Sequence, residues 1–168
     1  GTTVATNALL ERKGEAVLLL ITEGVADLLR NGTQARPALF DLHIRRPDLL
    51  YAQVAEVPGR LDAEGVEIAP MDETAVRTAL TKAAGQGIRA VAVALIHGWL
   101  NPAHEVRVGE LAAEAGFTQI SLSHQVSRLA KLVARGDTTV VDAYLSPILR
   151  RYVAQVETAM EAGRGGDD

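Results

Sequence analysis

The sequence predicts an α/β fold with a mixed or mostly parallel sheet flanked by helices, a β-hairpin insertion and a long C-terminal helical segment. AVLLLIT at 16–22 and IRAVAVALI at 88–96 are almost continuously apolar, which is typical of strands buried on both faces, although a short buried helix has the same pattern. A helix-forming stretch separates the second run from FTQISLS at 117–123. Strand–helix–strand units of this kind normally have parallel strands.

The first part of the chain predicts helices on both sides of the first strand. One helix covers about residues 6–13 with Thr6 or Asn7 as its cap, and a second covers 23–32. Residues 33–52 form a long irregular connection, and connections of this length in compact domains are often functional. The segments QVAEVPGRLD and VEIAP, separated by the turn signal DAEG, predict a two-stranded hairpin.

The second part predicts longer helices. Residues 73–84 are good helix formers, and a helix over 101–116 opens with Asn as its cap and Pro at its first helical position. The last segment, about 128–162, is mostly helical, and we expect Gly136 to break it and Pro147 to kink it or begin a new helix.

Composition indicates one domain, residues 1–162, followed by a disordered tail at 163–168. The net charge of −4 gives no general attraction to nucleic acid or to an anionic membrane. The chain has no cysteine, which excludes disulfides, thiolate chemistry and Cys-based zinc sites. No apolar run approaches the roughly 20 residues that span a bilayer, and we expect no secretion because no charged-then-apolar segment precedes a small-residue cleavage site in this sequence. We therefore expect a cytoplasmic protein that binds neither nucleic acid nor membrane.

Two segments are candidates for binding anions. GTTVATN places backbone N–H groups and the hydroxyls of Thr2 and Thr3 just before a helix N-terminus, where negative charge is favoured. The arginine-rich connection at 36–48 offers guanidinium groups that suit carboxylate or phosphate. Ordinary capping residues and a solvated loop with local ion pairs are the more common interpretations of these patterns.

Histidines follow two of the predicted strands. In an open parallel sheet ligands bind beyond the carboxyl ends of strands, where His97 lies, and His124 also lies there if the sheet is parallel at that strand. His97 is interpreted as a hydrogen-bonded loop residue or a substrate contact. Their spacing matches no metal-binding helix motif, and no metal site is predicted. His104 is interpreted as a solvated residue in the first turn of its helix. Likewise ARGDTT at 134–139 is interpreted as a capped helix start.

Seven segments in order resemble the N-terminal part of the hydantoinase A / 5-oxoprolinase family. They are GTTVATNALLERKG, ITEGVADLL, RPALFDL, VPGRLDAEG, AVAVALIHGWLNPAHEVRVGELAAEAG, SLSHQVS and TTVVDAYLSPILRRYV. The similarity covers nearly all of residues 1–155. It implies that residues 1–162 are that family's N-terminal-type domain, truncated on its N-terminal side, within an actin-like ATPase-type protein.

The resemblance implies an ATP-dependent hydrolase that opens cyclic amides of the hydantoin or 5-oxoproline type by phosphorylating the carbonyl oxygen. It also implies Mg²⁺ in the full-length protein and a hydantoinase B-type subunit as partner. We expect this chain alone to be inactive and to hold no cofactor, because the family's phosphate motif belongs upstream of Gly1. Two alternatives stay open, namely a domain of an ATP-dependent ketone carboxylase of the acetone or acetophenone type, and a non-catalytic assembly domain that contacts the B-type partner.

The resemblance also assigns candidate positions. The residues expected near substrate or phosphate are Gly1, Thr2, Thr3, Asn7, Arg36, His97 and His124. Further matches to the family pattern are Asp41, Asn101, Pro102, His104 and Ser123. The chain departs from the pattern at Ala134, where a Glu is usual, at Asp137, where a hydroxyl is usual, and at Asp142, where an Asn is usual. These departures leave the substrate open.

Overall fold

The computed structural model describes residues 15–24, 51–98, 100–126 and 132–165. Its elements in chain order are β1 (Val17–Thr22), β2 (Gln53–Val57), β3 (Arg60–Leu61), β4 (Glu67–Ala69), α1 (Glu73–Gly85), β5 (Ala90–Ala94), α2 (Ala103–Glu114), β6 (Gln119–Leu122), α3 (Ser123–Val126) and α4 (Leu132–Gly165). No helix among the described residues has the length and apolarity needed to cross a membrane.

A four-stranded parallel sheet in the order β2-β1-β5-β6 forms the centre of the described fold. The predicted α/β class and the parallel β5–α2–β6 unit are confirmed. The predicted hairpin is only partly right. Arg60–Leu61 pairs antiparallel with Glu67–Ala69, but Gln53–Val57 pairs with β1 as an edge strand of the main sheet. A weakly alternating sequence suits either partner, so the pattern alone did not separate the two.

The two faces of the sheet bury two different cores. On one face, Leu18 and Leu20 of β1 pack in a cluster with Leu80 of α1 and Leu111 of α2. On the other face, Val17, Leu19 and Ile21 pack in a cluster with Val140, Ala143 and Tyr144 of α4. Side chains alternate across a strand, so a strand covered by helices on both faces is apolar at every position. This explains the unbroken apolar run at 16–22.

Helices α1 and α2 begin close to the predicted positions. The carboxylate of Asp72 accepts a hydrogen bond from Ala75 N at 3.2 Å, and the Asn101 side chain accepts one from Ala103 N at 3.1 Å. Each bond satisfies one of the N–H groups that a helix leaves unpaired at its start. Pro102 lies just before the first residue of α2 rather than at its first helical position.

Helix α4 runs unbroken through Gly136 and Pro147, so the predicted break at Gly136, the predicted new helix at Pro147 and the predicted helix start at 137–139 are wrong. The alternative prediction of a kink at Pro147 stays a prediction. Pro inside a helix costs about 3 kcal/mol because it removes one backbone donor and crowds the preceding turn. Here Val140, Ala143, Tyr144 and Leu145 bury against the sheet, and that burial offsets the cost. The helices predicted at 6–13 and 23–32, apart from residues 23 and 24, lie outside the described residues, as do residues 33–50.

Candidate functional site

The carboxyl edge of the parallel sheet contains the point where the strand order reverses. The chain proceeds from β1 to β2 on one side and from β5 to β6 on the other, so the crevice between β1 and β5 is where open α/β sheets bind ligands. Thr22 ends β1, and its Oγ1 accepts a hydrogen bond from Ile96 N at 2.8 Å. The loop after β5 is thereby attached to the end of β1.

Glu105 lies in the first turn of α2 with its side chain fully buried. Its Oε2 accepts hydrogen bonds from Leu95 N at 2.9 Å and from the hydroxyl of Ser123. Its Oε1 accepts from His124 N at 2.9 Å and bonds to His124 Nδ1 at 2.7 Å. A buried carboxylate is stable only when it is hydrogen-bonded and its charge is compensated. Both oxygens therefore serve to bind the carboxyl ends of β5 and β6 together.

Arg135 of α4 is also fully buried and completes this group. Its Nε donates to Ser123 Oγ at 2.9 Å, and its Nη2 donates to the Leu95 carbonyl. Burial lowers the pKa of Arg135, and the negative charge of Glu105 opposes that effect. We call Leu95, Glu105, Ser123, His124 and Arg135 the Glu105 cluster. It joins three helices and the end of β5.

His124 is the member of the Glu105 cluster that reaches solvent, with 15% of its side chain exposed. Its Nδ1 is bonded to the carboxylate, and no described residue bonds to its Nε2. When Glu105 is ionised, Nδ1 carries a proton as the donor, and a neutral imidazole then presents a lone pair on Nε2. A carboxylate that orients a histidine in this way is a common arrangement for proton transfer.

The loop after β5 lies directly against Glu105. An added Cβ on Gly98 would lie 2.7 Å from Glu105 Oε2, so only glycine fits without displacing the carboxylate. His97 adopts a left-handed conformation with φ of 58°, which costs a non-glycine residue of order 1 kcal/mol. Its carbonyl accepts hydrogen bonds from Leu100 N and Asn101 N. These contacts constrain the backbone at His97 and Gly98, and the His97 side chain is half-buried.

The prediction that His104 is solvated is wrong. Only 12% of its side chain is exposed, and its Nε2 lies 2.5 Å from Glu67 Oε2 on β4. The Asn101 amide donates to the Gly65 carbonyl at 2.9 Å in the same region. Both residues attach the β3–β4 hairpin to the start of α2, because the hairpin folds over this helix end. Neither joins the Glu105 cluster.

The structure places His97 and His124 at the same edge of the sheet, after β5 and β6, because these two strands are parallel. Ser123, which matches the family's Ser-His pair, is buried in the Glu105 cluster. The other candidate positions lie outside the described residues; they are Gly1, Thr2, Thr3, Asn7, Arg36 and Asp41. Among the described residues, no group of three or more His, Cys, Asp or Glu side chains could hold a metal ion.

Sequence reasoning missed the two buried charges, Glu105 and Arg135. A Glu in the first turn of a helix is usually an exposed residue that interacts favourably with the helix dipole. The residue type at position 105 therefore did not predict a buried side chain. Arg135 lies in the ARGDTT segment, and the sequence analysis placed a helix start after it, at residues 137–139. Because Arg135 was not assigned to a helix, its position on the buried side of α4 was not predicted. Asp142, a departure from the family pattern, accepts hydrogen bonds from Ser121 Oγ at 2.6 Å and Ser146 Oγ at 3.1 Å. This carboxylate therefore binds β6 to α4.

Comparison with known proteins identifies the family. The family model for the hydantoinase/oxoprolinase N-terminal region matches residues 1–116. The chain belongs to this family. It is 42% identical over 173 residues to 5-oxoprolinase 1 of Arabidopsis thaliana and 38% identical over 195 residues to 5-oxoprolinase of Dictyostelium discoideum. These alignments cover 92% and 100% of the chain but only 14% and 15% of the relatives.

Two further similar proteins have other names. The gamma subunit of acetophenone carboxylase from Aromatoleum aromaticum is 34% identical over 160 residues, which is 86% of this chain and 22% of that subunit. The crystal structure of ATP-dependent caprolactamase from Pseudomonas jessenii superposes with a TM-score of 0.77 at 32% identity, covering 96% of this chain and 24% of that one. The chain therefore corresponds to less than a quarter of each of these two proteins.

Proposed function

We propose that this chain is one domain of an ATP-dependent hydrolase that opens cyclic amides of the 5-oxoproline or hydantoin type. The observation that carries the proposal is the family membership, together with full-length coverage of the chain by proteins named 5-oxoprolinase. The chain spans about one seventh of those relatives, so the activity belongs to a longer protein. This chain alone is proposed to be inactive, and the intact protein is proposed to work in the cytoplasm.

An amide carbonyl resists attack by water until its oxygen is activated, and ATP with Mg²⁺ supplies that activation by phosphoryl transfer. The described residues contain no metal-ligand cluster that fits Mg²⁺. We propose that most of the ATP and Mg²⁺ site lies in other parts of the intact protein, as the family resemblance implies. In this proposal the chain contributes the carboxyl edge of its parallel sheet, and the cyclic amide binds against that edge.

We assign His124 the role of proton acceptor at that edge. As the oxygen of water bonds to the activated amide carbon, Nε2 takes the proton that the water loses and returns it to the ring nitrogen, which leaves as an amine when the ring C–N bond breaks. The acyl phosphate that remains would be hydrolysed to carboxylate and phosphate by a second water. The bond from Nδ1 to Glu105 holds the imidazole in one orientation and keeps Nε2 available. His97 is proposed to contact the substrate from the loop after β5. Thr2, Thr3 and Asn7, with Gly1, are proposed to lie near substrate or phosphate, and Arg36 is proposed to orient a carboxylate or carbonyl.

The test uses the intact protein with 5-oxoproline or hydantoin as substrate. ATP hydrolysis is expected only when the cyclic amide is present, and His124→Gln is expected to lower kcat by about 10²–10⁴-fold, the range of general base catalysis. Lys82→Gln, on the exposed face of α1, is the matched control and should leave kcat unchanged. Full activity in His124→Gln would refute the role of His124, and unchanged turnover in Thr3→Ala would make residues 1–7 purely structural.

A ketone carboxylase is the second candidate, and the similarity to the acetophenone carboxylase subunit favours it. In that case ATP hydrolysis would require bicarbonate and a ketone instead of a cyclic amide. The same assay therefore separates the two chemistries, because one adds water to the activated carbonyl and the other joins two carbon compounds.

We also propose a hydantoinase B-type subunit as partner, since a relative of this chain is itself named as a subunit. The second half of α4 offers a surface for that contact, with an exposed apolar stripe formed by Tyr152, Val153, Val156 and Met160. If the stripe is the interface, Val153→Glu should abolish co-purification of the two subunits, whereas Thr158→Glu on the same helix should not. Equal capture of both variants would place the interface elsewhere, and loss of capture without loss of ATP turnover would favour a role in assembly alone.

A further inference from the structure

The amino ends of three parallel strands meet at the edge of the sheet opposite the edge proposed for catalysis. Glu15 lies two residues before β1, Arg89 lies immediately before β5, and Thr118 lies immediately before β6. Thr118 N donates a hydrogen bond to the Arg89 carbonyl at 2.9 Å, and Glu15 N donates one to the Tyr144 carbonyl of α4 at 3.1 Å. These bonds attach the start of β6 to the start of β5, and the start of β1 to α4.

A cleft of about 410 Å³ lies at this amino edge, where α4 passes the starts of the strands. Pockets that bind small molecules have volumes of about 300–1,000 Å³, so the cleft is large enough for a small ligand. We call it the arginine cleft, because its charged lining residues are Arg89, Arg150, Arg151 and Glu15. Pro147 and Ala154 of α4 supply its apolar lining.

The three guanidinium groups of the arginine cleft are each held by one contact region. Arg89 Nη1 donates to two backbone carbonyls at and just after the end of α1, at 2.8 and 3.0 Å. Arg150 Nη1 donates to Gln119 Oε1 at the start of β6, and Arg151 Nη1 lies 3.2 Å from Glu15 Oε1. Within the described residues these contacts engage only Nη1 of each group. A guanidinium has further N–H donors on Nε and Nη2, and these are available to a ligand.

The arginine cleft concentrates positive charge on a chain whose net charge is −4. Three guanidinium groups and the Glu15 carboxylate line the cleft and leave an excess of two positive charges. Residues 11–13, which precede Glu15 and lie outside the described residues, carry one further net positive charge. The carboxylates closest in sequence on the packed helices do not line the cleft; they are Glu114 of α2 and Asp142 and Glu157 of α4. A local excess of this kind attracts anions.

We propose that the arginine cleft binds a small anion with two negative charges, a phosphate or a dicarboxylate. Guanidinium groups donate paired N–H bonds whose geometry matches the oxygens of phosphate and carboxylate. The charge of such an anion equals the excess of positive charge in the lining. Because Arg89 precedes β5 whereas Arg150 and Arg151 belong to α4, a bound anion would connect this helix to the starts of the strands. The cleft lies at the opposite edge of the sheet from His97 and His124, so the proposal does not depend on the proposed hydrolase activity.

The test follows the reaction of phenylglyoxal with individual arginines of the intact protein, read by peptide mass spectrometry. The reagent adds to accessible guanidinium groups, and a bound anion protects them. Inorganic phosphate and glutarate are the two probes, and sodium chloride at equal ionic strength measures simple screening. At about ten times the half-protecting concentration of a probe, modification of Arg89, Arg150 and Arg151 should slow about ten-fold. Modification of Arg77, an exposed residue of α1, should not change.

Two substitutions should move the half-protecting concentration in opposite directions. Arg151→Gln removes one guanidinium and leaves the Glu15 carboxylate without its partner. Loss of one charge-assisted hydrogen bond should raise the concentration that protects Arg89 and Arg150 about ten-fold or more. Glu15→Gln removes the carboxylate that competes for Arg151, so the concentration should fall. Arg77→Gln is the matched control, because it makes the same change in an exposed ion pair on α1, and it should leave the concentration unchanged.

The identity of the protecting probe separates the two ligand sources. Protection by phosphate alone indicates a phosphate-bearing ligand, and protection by glutarate alone indicates a dicarboxylate. The Arg151 side chain is 63% exposed, so its substitution is not expected to impair folding.

The proposal is overturned if neither probe slows modification in the arginine cleft, if chloride protects as well as the probes, or if Arg77 is protected equally. An unchanged half-protecting concentration in Arg151→Gln would also overturn it. If the cleft arginines do not react at all while Arg77 does, another part of the intact protein or a partner covers the cleft, and the proposal is wrong. None of these rates depends on turnover, so this inference and the proposed hydrolase activity can fail separately.

Discussion

Gly98→Ala should disrupt the Glu105 cluster without removing any of its members. The new methyl carbon would lie 2.7 Å from Glu105 Oε2, 2.9 Å from its Cδ and 3.0 Å from the Leu95 carbonyl. Real Cβ atoms do not approach other atoms as closely as 2.7 Å. The carboxylate is held by donors on both oxygens, so it cannot move without losing hydrogen bonds.

The expected cost follows from these contacts. Overpacking a tight interior costs about 1–3 kcal/mol, and each buried group left without its hydrogen bond costs about 1–3 kcal/mol more. We therefore expect Gly98→Ala to lower the free energy of unfolding by at least about 2 kcal/mol in urea denaturation. The rate at which diethyl pyrocarbonate modifies the His124 imidazole should also change, because the Glu105 carboxylate that orients the imidazole has shifted.

Gly85→Ala is the matched control for the same chemical change. Gly85 is the exposed last residue of α1, and nothing lies within 4 Å of an added Cβ there. Alanine should leave stability unchanged or raise it by up to about 1 kcal/mol, since it favours the helix. If Gly98→Ala were as stable as Gly85→Ala, the loop after β5 could not lie against Glu105 as described.

Three more outcomes follow from the structure. Leu80→Ala should destabilise by about 2–5 kcal/mol in urea denaturation, because Leu80 is fully buried between α1 and the sheet. Thr22→Val should cost about 1–3 kcal/mol, because Ile96 N loses its acceptor, and a smaller loss would mean that another group replaces the hydroxyl. The hydrogen bond from Arg107 lowers the pKa of Glu73 below its ordinary 4.5, so its stabilising effect is present above that value and is lost as the pH falls through the lowered pKa. Arg107→Leu should accordingly raise the pKa of Glu73 in a carboxyl NMR titration and lower stability at neutral pH but not in strong acid.

The central strands of the sheet were predictable because the apolar pattern that indicates each strand lies within a few consecutive residues. Strands β1 and β5 are apolar at almost every position, and few structures besides a strand buried on both faces produce that pattern over so short a run. The continuity of α4 was not predictable, because Gly136 and Pro147 are both poor interior residues and only burial against the sheet overrides them. Helix propensity describes only the local sequence, so it does not include the free energy gained when α4 packs against strands that are distant in sequence.

The candidate site was predictable only in part, for the same reason. The positions of His97 and His124 followed from a general rule about the ends of parallel strands. The partners of His124 did not, since Glu105 and Arg135 lie 19 and 11 residues from it on different helices. Buried charged residues on different helices produce no periodic pattern in a sequence. Polar residue types at those positions are equally suited to a solvated helix face.

The unbroken apolarity of β1 and β5 leaves their alignment weakly specified. Leu19 is paired with Ala92, and a slip of one residue would exchange the two faces of β1 while still burying apolar side chains on both. Such a slip would, however, break the hydrogen bond from Ile96 N to Thr22 Oγ1. This hydrogen bond at the carboxyl edge therefore favours the native register of β1 and β5. The edge proposed for catalysis thus also helps to specify how the sheet folds.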